Sequence, residues 1–140
     1  QAAAIYALAK IYNTVARDLG AVYKRFGLTA TSFNLLVLIH HGKDRATLTQ
    51  QAISQRLVVT ESDITKVIDR LERQHLVRRV PGKDRRSKLL QISPKGVQRL
   101  EEIWPHHRTA MERLAQAIQP GDVRVLAQIL GRLRRLRDGA

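Results

Sequence analysis

Apolar residues recur in steps of three and four along most of this chain, the spacing of one face of an α-helix, and the pattern breaks only near residue 80. The first periodic segment covers 2–26, with Ile5, Leu8, Tyr12, Val15, Leu19, Val22 and Phe26 along one seam. At ~1.5 Å per residue such a helix is roughly 35 Å long, more than a small domain covers by itself. The seam can face a core of its own or a second subunit, and its length favours the second subunit. Gly20 weakens the centre of this helix and is expected to mark a bend, and Gly27 ends the segment.

Thr29 or Thr31 caps a second helix from about Ser32 to His41, closed by Gly42. Phe33, Leu36, Val37 and Ile39 make it apolar nearly all round, so it is expected to be central. Thr49 caps a short third helix ending near Leu57, with Leu48 and Ile53 as its hydrophobic staple. A turn at Val58-Val59 leads to Thr60, the cap of a fourth helix. Here Ile64, Val67, Ile68 and Leu71 form one apolar stripe, and Glu61 and Asp63 place negative charge in the first turn. The opposite face carries Ser62, Thr65, Lys66, Asp69, Arg70 and Arg73. Two short helices joined by a tight turn predict a helix-turn-helix.

The period then changes. Leu76–Val80 and Lys88–Ile92 read as strands, with a turn at Pro81-Gly82 and a basic loop between them. Ser93-Pro94 opens a fifth helix, with Ser93 as cap and Pro94 at its first position. Val97, Leu100, Trp104, His107, Met111, Leu114 and Ile118 follow at helical steps, and Pro105 is expected to kink or break the helix near Ile103. Gln119-Pro120-Gly121 reads as a turn before a last helix carrying Val123, Leu126, Ile129, Leu130, Leu133 and Leu136. The fold class expected is mainly α, with a small β-hairpin wing on a helix-turn-helix flanked by long terminal helices.

Length and charge narrow this further. The chain has 140 residues, one domain's worth, and a formal net charge of +13. Such an excess favours an anionic partner, nucleic acid first, with an anionic membrane surface or plain solubility as alternatives. The charge is concentrated: Lys66, Arg70, Arg73, Arg78, Arg79, Lys83, Arg85, Arg86, Lys88 and Lys95 stand against only Asp69, Glu72 and Asp84. No apolar run of about 18 residues and no signal-peptide pattern is visible, so no membrane span is expected and the cytoplasm is the default compartment. Cysteine is absent, which excludes disulfides and thiol switching within this chain. No glycine-rich phosphate loop, nucleophile elbow or HExxH is present, and an enzyme is not expected.

The run from Leu48 to Gly96 resembles the core of the MarR-type transcriptional regulators. Asp84-Arg85-Arg86 matches their Asp-x-Arg wing motif, and Ile92-Ser93-Pro94-Lys95-Gly96 matches the ending that follows the wing. His75 stands where that family usually has glycine after the recognition helix, a position where a left-handed residue is easier for glycine. The resemblance implies a homodimeric winged helix-turn-helix protein, with 1–27 and 97–140 as dimerisation helices and 28–96 as the DNA-binding lobe. Two recognition helices would enter adjacent major grooves of a pseudo-palindromic double-stranded operator, and two wings the flanking minor grooves.

The candidate DNA contacts are then Thr60, Ser62, Asp63, Thr65, Lys66 and Arg70 on the helix, and Lys83, Asp84, Arg85, Arg86 and Lys88 on the wing. Ser62, Thr65 and Lys66 lie near the helix N-terminus, the end that meets base edges, whereas Arg70 is placed to reach phosphate. Arg86 is expected in the minor groove, its guanidinium oriented by the Asp84 carboxylate.

Family members often respond to small aromatic or phenolic anions, which makes Arg17, His40, Trp104 and His107 candidates for an effector site. His40-His41 and His106-His107 are adjacent pairs whose rings point about 100° apart on a helix, so neither pair makes a metal site alone. No metal or cofactor is expected. The function expected is a sequence-specific DNA-binding regulator, a homodimeric repressor released by a small effector. The alternatives are an architectural, non-specific DNA-binding protein and a protein-interaction module that has kept the winged fold.

Overall fold

In a computed structural model of the chain, residues 1–42, 48–57, 59–82, 84 and 88–138 are described. The elements run α1 (Ala2–Lys24), α2 (Ala30–His41), α3 (Gln50–Leu57), α4 (Glu61–Arg73), β1 (Val77–Pro81), β2 (Lys88–Ile92), α5 (Pro94–Ala115) and α6 (Pro120–Asp138). This is a mainly helical chain with one antiparallel hairpin, the winged fold class expected. Two compact units divide it, residues 1–107 and 108–140.

Side-chain caps start four of the helices of the first unit. Thr29 Oγ1 accepts from Ser32 N at 3.1 Å, Thr49 Oγ1 from Ala52 N at 3.2 Å, Thr60 Oγ1 from Asp63 N at 3.2 Å and Ser93 Oγ from Gly96 N at 3.0 Å. Each satisfies a backbone donor that helical bonding leaves orphaned. Thr29 rather than Thr31 is therefore the cap of α2, which begins at Ala30, two residues before the expected start.

The core of this unit sits among α2, α3, α4, α5 and the hairpin. Leu35, Leu36, Ile53, Ile64, Ile68, Leu71, Leu76 and Ile103 have no accessible surface, and Leu48 and Leu90 have almost none. The hairpin pairs Val77 with Ile92 through Pro81 with Lys88. Its β2 edge is joined to the segment before α3, where Leu90 N donates to Leu48 O at 3.3 Å and Thr49 bridges Leu89. Leu76, expected to open the first strand, instead closes α4: its N–H donates to Leu71 O at 2.9 Å, and His75 N to Glu72 O at 2.9 Å. That is a Schellman ending with His75 in the left-handed region at φ 60°.

Neither Gly20, expected to mark a bend, nor Pro105, expected to kink or break its helix, interrupts helical structure. Proline removes the bond its nitrogen would give to Glu101 and crowds that carbonyl, but burial of Leu100 and Ile103 just before it holds the helix to the core. α6 likewise begins at Pro120, inside the expected turn.

Much of the apolar seam of α1 is not covered by its own unit. Ile5, Leu8 and Tyr12 are exposed and Val15, Leu19 and Val22 only half-buried, whereas the buried residue of α1, Tyr23, lies off that seam. In the second unit, no described side chain of α6 is buried, and Val123, Leu126, Ile129 and Leu130 are open. No helix among the described residues is long and apolar enough to cross a membrane.

Candidate nucleic-acid interface

α3 and α4 form the helix-turn-helix by burying one side of each. Ile53 faces inward from α3, and Ile64, Ile68 and Leu71 face inward from α4, all at 0% exposure. The i, i+4, i+7 spacing of the α4 residues leaves Ser62, Asp63, Lys66, Asp69, Arg70 and Arg73 on the outer side, and all six are exposed. Among the described residues, neither Lys66 nor Arg70 has an ion-pair partner. Both line a cleft with Thr29, Ser32 and Asp63 at the start of α2, and Arg70 also lines a neighbouring cleft with Lys24, Gly27 and Thr29. Lys66 and Arg70 thus lie with one acid, Asp63, near the N-terminus of α2, where backbone donors also favour an anion.

Four of the helix candidates are engaged within the protein. Thr60 Oγ1 donates to Asp63 Oδ2 at 2.6 Å while accepting from Asp63 N, capping the start of α4. Ser62 Oγ lies 3.2 Å from Thr60 Oγ1. Thr65 is half-buried, and Gln50 Nε2 of α3 donates to its Oγ1. Gln50 therefore braces a candidate base-reading side chain from the neighbouring helix. No sequence signal marks it, since the two residues are 15 positions apart.

On the wing, Asp84 and Lys88 are exposed. Lys83, Arg85 and Arg86 lie outside the described residues, and with them the expected Asp84–Arg86 pairing. The two strand arginines turn to protein partners. Arg78 holds Gln91 Oε1 across the hairpin, at 3.2 Å from Nε and 2.9 Å from Nη2. Arg79 bonds Asp69 and Glu72 of α4.

The structure brings only two of the four effector candidates into one cavity. His40 and Trp104 line a space of about 410 Å³ with His41, Val97, Leu100, Glu101 and Pro105, between the end of α2 and α5. His107 does not line it. Its Nδ1 lies 2.9 Å from the Tyr23 hydroxyl, and its ring sits 5.0 Å from Phe33 and 5.4 Å from Trp104. Burial lowers the imidazole pKa and raises that of the Tyr23 phenol. Arg17 is exposed on α1 beside Asp18 at 3.3 Å and takes no part in the cavity. His41 and Glu101 are cavity residues that periodicity did not single out. Among the described residues, no group of three or more His, Asp or Glu side chains is placed to hold a metal ion.

Comparison with known proteins adds a lineage to this geometry. The family profile described as the MarR family matches residues 26–87, from just after α1 to the residue before β2. The HTH-type transcriptional regulator MhqR of Bacillus subtilis (strain 168) is 27% identical over 127 residues, 90% of this chain and 86% of that protein. The crystal structure of AbsC, a MarR family transcriptional regulator from Streptomyces coelicolor, superposes with a TM-score of 0.91. It is 20% identical and covers 100% of this chain and 95% of that one. The crystal structure of a mutant MarR from E. coli, complexed with operator DNA, superposes with a TM-score of 0.81. It is 21% identical and covers 91% of both chains.

Proposed function

We propose that this chain, which belongs to the MarR family of transcriptional regulators, is a sequence-specific double-stranded DNA-binding repressor. It acts as a homodimer in the cytoplasm and is released by a small aromatic effector. The observation that carries the reading is the outer face of α4. Its apolar side is locked into the core, and Ser62, Lys66 and Arg70 are presented outward, with neither cation ion-paired among the described residues. A helix held in this way, following a second short helix, can enter a major groove. Ser62 and Lys66 then meet base edges, and Arg70, beside Lys24 and Thr29, takes phosphate. The operator complex of the similarly folded MarR from E. coli supports the same docking for this chain.

Dimerisation is supported by the uncovered apolar residues of α1 and α6, whose side chains stay in water unless a second copy covers them. Release by an aromatic molecule is supported by the cavity that the Trp104 indole and His40 share. The test is selection from randomised duplexes at moderate salt, with sequencing of what is retained. A palindrome with half-sites about one helical turn apart is the expected result. Binding without an enriched motif would instead favour an architectural role, to which the exposed arginines of α6 are suited.

A further inference from the structure

Among the described residues, Arg79 is the cation of the lobe most heavily engaged with its own protein. Its backbone N–H donates to Glu72 Oε1 at 3.1 Å, its Nη2 lies 2.7 Å from Asp69 Oδ1, and its Nη1 bonds Glu72 Oε2. The side chain is only 23% exposed. Asp69 and Glu72 sit one turn apart on α4, and Arg79 lies in the middle of β1. The fork therefore ties the outer edge of the wing to the second half of the reading helix. The other edge, β2, is already stitched to Leu48 and Thr49. Between them the two attachments clamp the root of the hairpin against both helices of the helix-turn-helix.

We propose that Arg79 is a positioning residue for DNA recognition. It touches no nucleic acid, but it sets the offset between α4 and the wing through Asp69 and Glu72. A helix in a major groove and a wing in a minor groove engage together only when their separation matches the duplex, and a planar bidentate guanidinium fixes that separation better than a flexible ammonium. Arg79 also neutralises two carboxylates that would otherwise lie on the phosphate-facing side of a cationic lobe. The inference rests on the DNA-binding reading for its functional consequence, but the offset itself can be measured without DNA.

The signs of the effects separate this role from a direct contact. Removing two acids from a DNA-binding face ordinarily strengthens binding. If Arg79 works through Asp69 and Glu72, the Asp69→Asn, Glu72→Gln double variant instead weakens operator binding. The expected loss is about tenfold, the scale of one misplaced base contact. Arg79→Met loses a similar factor, and combining all three changes loses no more than Arg79→Met alone. Binding of the double variant to non-specific duplex holds or rises. Tighter operator binding by the double variant, or additive losses, would overturn the proposal. Asp69→Asn alone touches only the half-exposed carboxylate and keeps the test open should the double variant unfold.

The second arm uses the free protein. Because the chain has no cysteine, spin labels at Ser62→Cys and Lys88→Cys report the offset directly, with labelled chain diluted in excess unlabelled chain. The distance distribution should shift or broaden in Arg79→Met and recover only partly in Arg79→Lys. An unchanged distribution would sink the proposal, whereas failure of the parent protein to select any duplex would sink the DNA-binding reading instead.

Discussion

The hydroxyl of Tyr23 and Nδ1 of His107 lie 2.9 Å apart, joining α1 to α5 within an aromatic cluster. Tyr23 stacks on Phe33 with centroids 4.4 Å apart, and Trp104 flanks His107. Burial holds the imidazole neutral by lowering its pKa from the ordinary histidine value of 6.5. Below that value the unfolded chain binds a proton that the folded protein resists, so stability falls with pH from about 6.5 downward until the folded imidazole also protonates. Denaturation midpoints should drop between pH 7.5 and 5.5, and His107→Gln should flatten that slope. An unchanged slope in the variant would show that His107 is not the group responsible.

Gly96 has no room for a side chain. A β-carbon there would run into the Leu76 carbonyl oxygen and come within 2.7 Å of Ile92 Cγ1. The same Leu76 carbonyl accepts from Ser93 N at 2.9 Å, so it cannot retreat freely. Gly96→Ala should cost about 2 kcal/mol, the scale of overpacking at a rigid contact, and appear as a lowered denaturant midpoint with an unchanged m-value.

His75 holds a backbone conformation that favours glycine, with φ at 60°. Its carbonyl is anchored by Ser93 Oγ at 2.6 Å, so the turn from α4 into β1 keeps this shape whatever residue occupies it. His75→Gly should relieve roughly 1 kcal/mol of left-handed strain, offset in part by the greater freedom of glycine in the unfolded chain. The expected outcome is a small rise in melting temperature with operator affinity unaltered. A fall would mean that the imidazole makes a compensating interaction.

Thr60 caps the start of α4, accepting from Asp63 N while its hydroxyl donates to the Asp63 carboxylate. Thr60→Ala should remove about 1 kcal/mol of stability, and Thr60→Ser should spare most of that loss. Circular dichroism during chemical denaturation checks both variants.

Lys66 and Arg70 should separate in their effects on binding. Arg70→Ala is expected to weaken specific and non-specific duplexes alike and reduce the salt slope by about 0.9, one phosphate contact. Lys66→Ala should relax preference at one operator position while changing the slope less. Matching behaviour in the two variants would contradict the division of labour between base and backbone.

The local chemistry of the chain was sufficient for its elements. Thr49, Thr60 and Ser93 each precede a periodic run and cap it, because a hydroxyl three residues before an orphaned N–H needs nothing from the rest of the protein. The apolar stripe of Ile64, Ile68 and Leu71 likewise defines a buried helix face from neighbouring residues alone. Helix continues through Pro105 because burial of Leu100 and Ile103 on the same helix outweighs one missing bond.

Tertiary structure decided which polar groups meet. Arg79 and Lys66 read alike as cations of one basic stretch. Yet Arg79 is consumed by Asp69 and Glu72, while Lys66 stands on the outer face with no ion-pair partner among the described residues. His107 and His40 both lie on apolar helices, but His107 turns to Tyr23 and His40 to a cavity beside Trp104. Periodicity assigns a side chain to a face of its own helix. Its partners depend on how helices far apart in sequence cross, and that follows from the packing of the whole core.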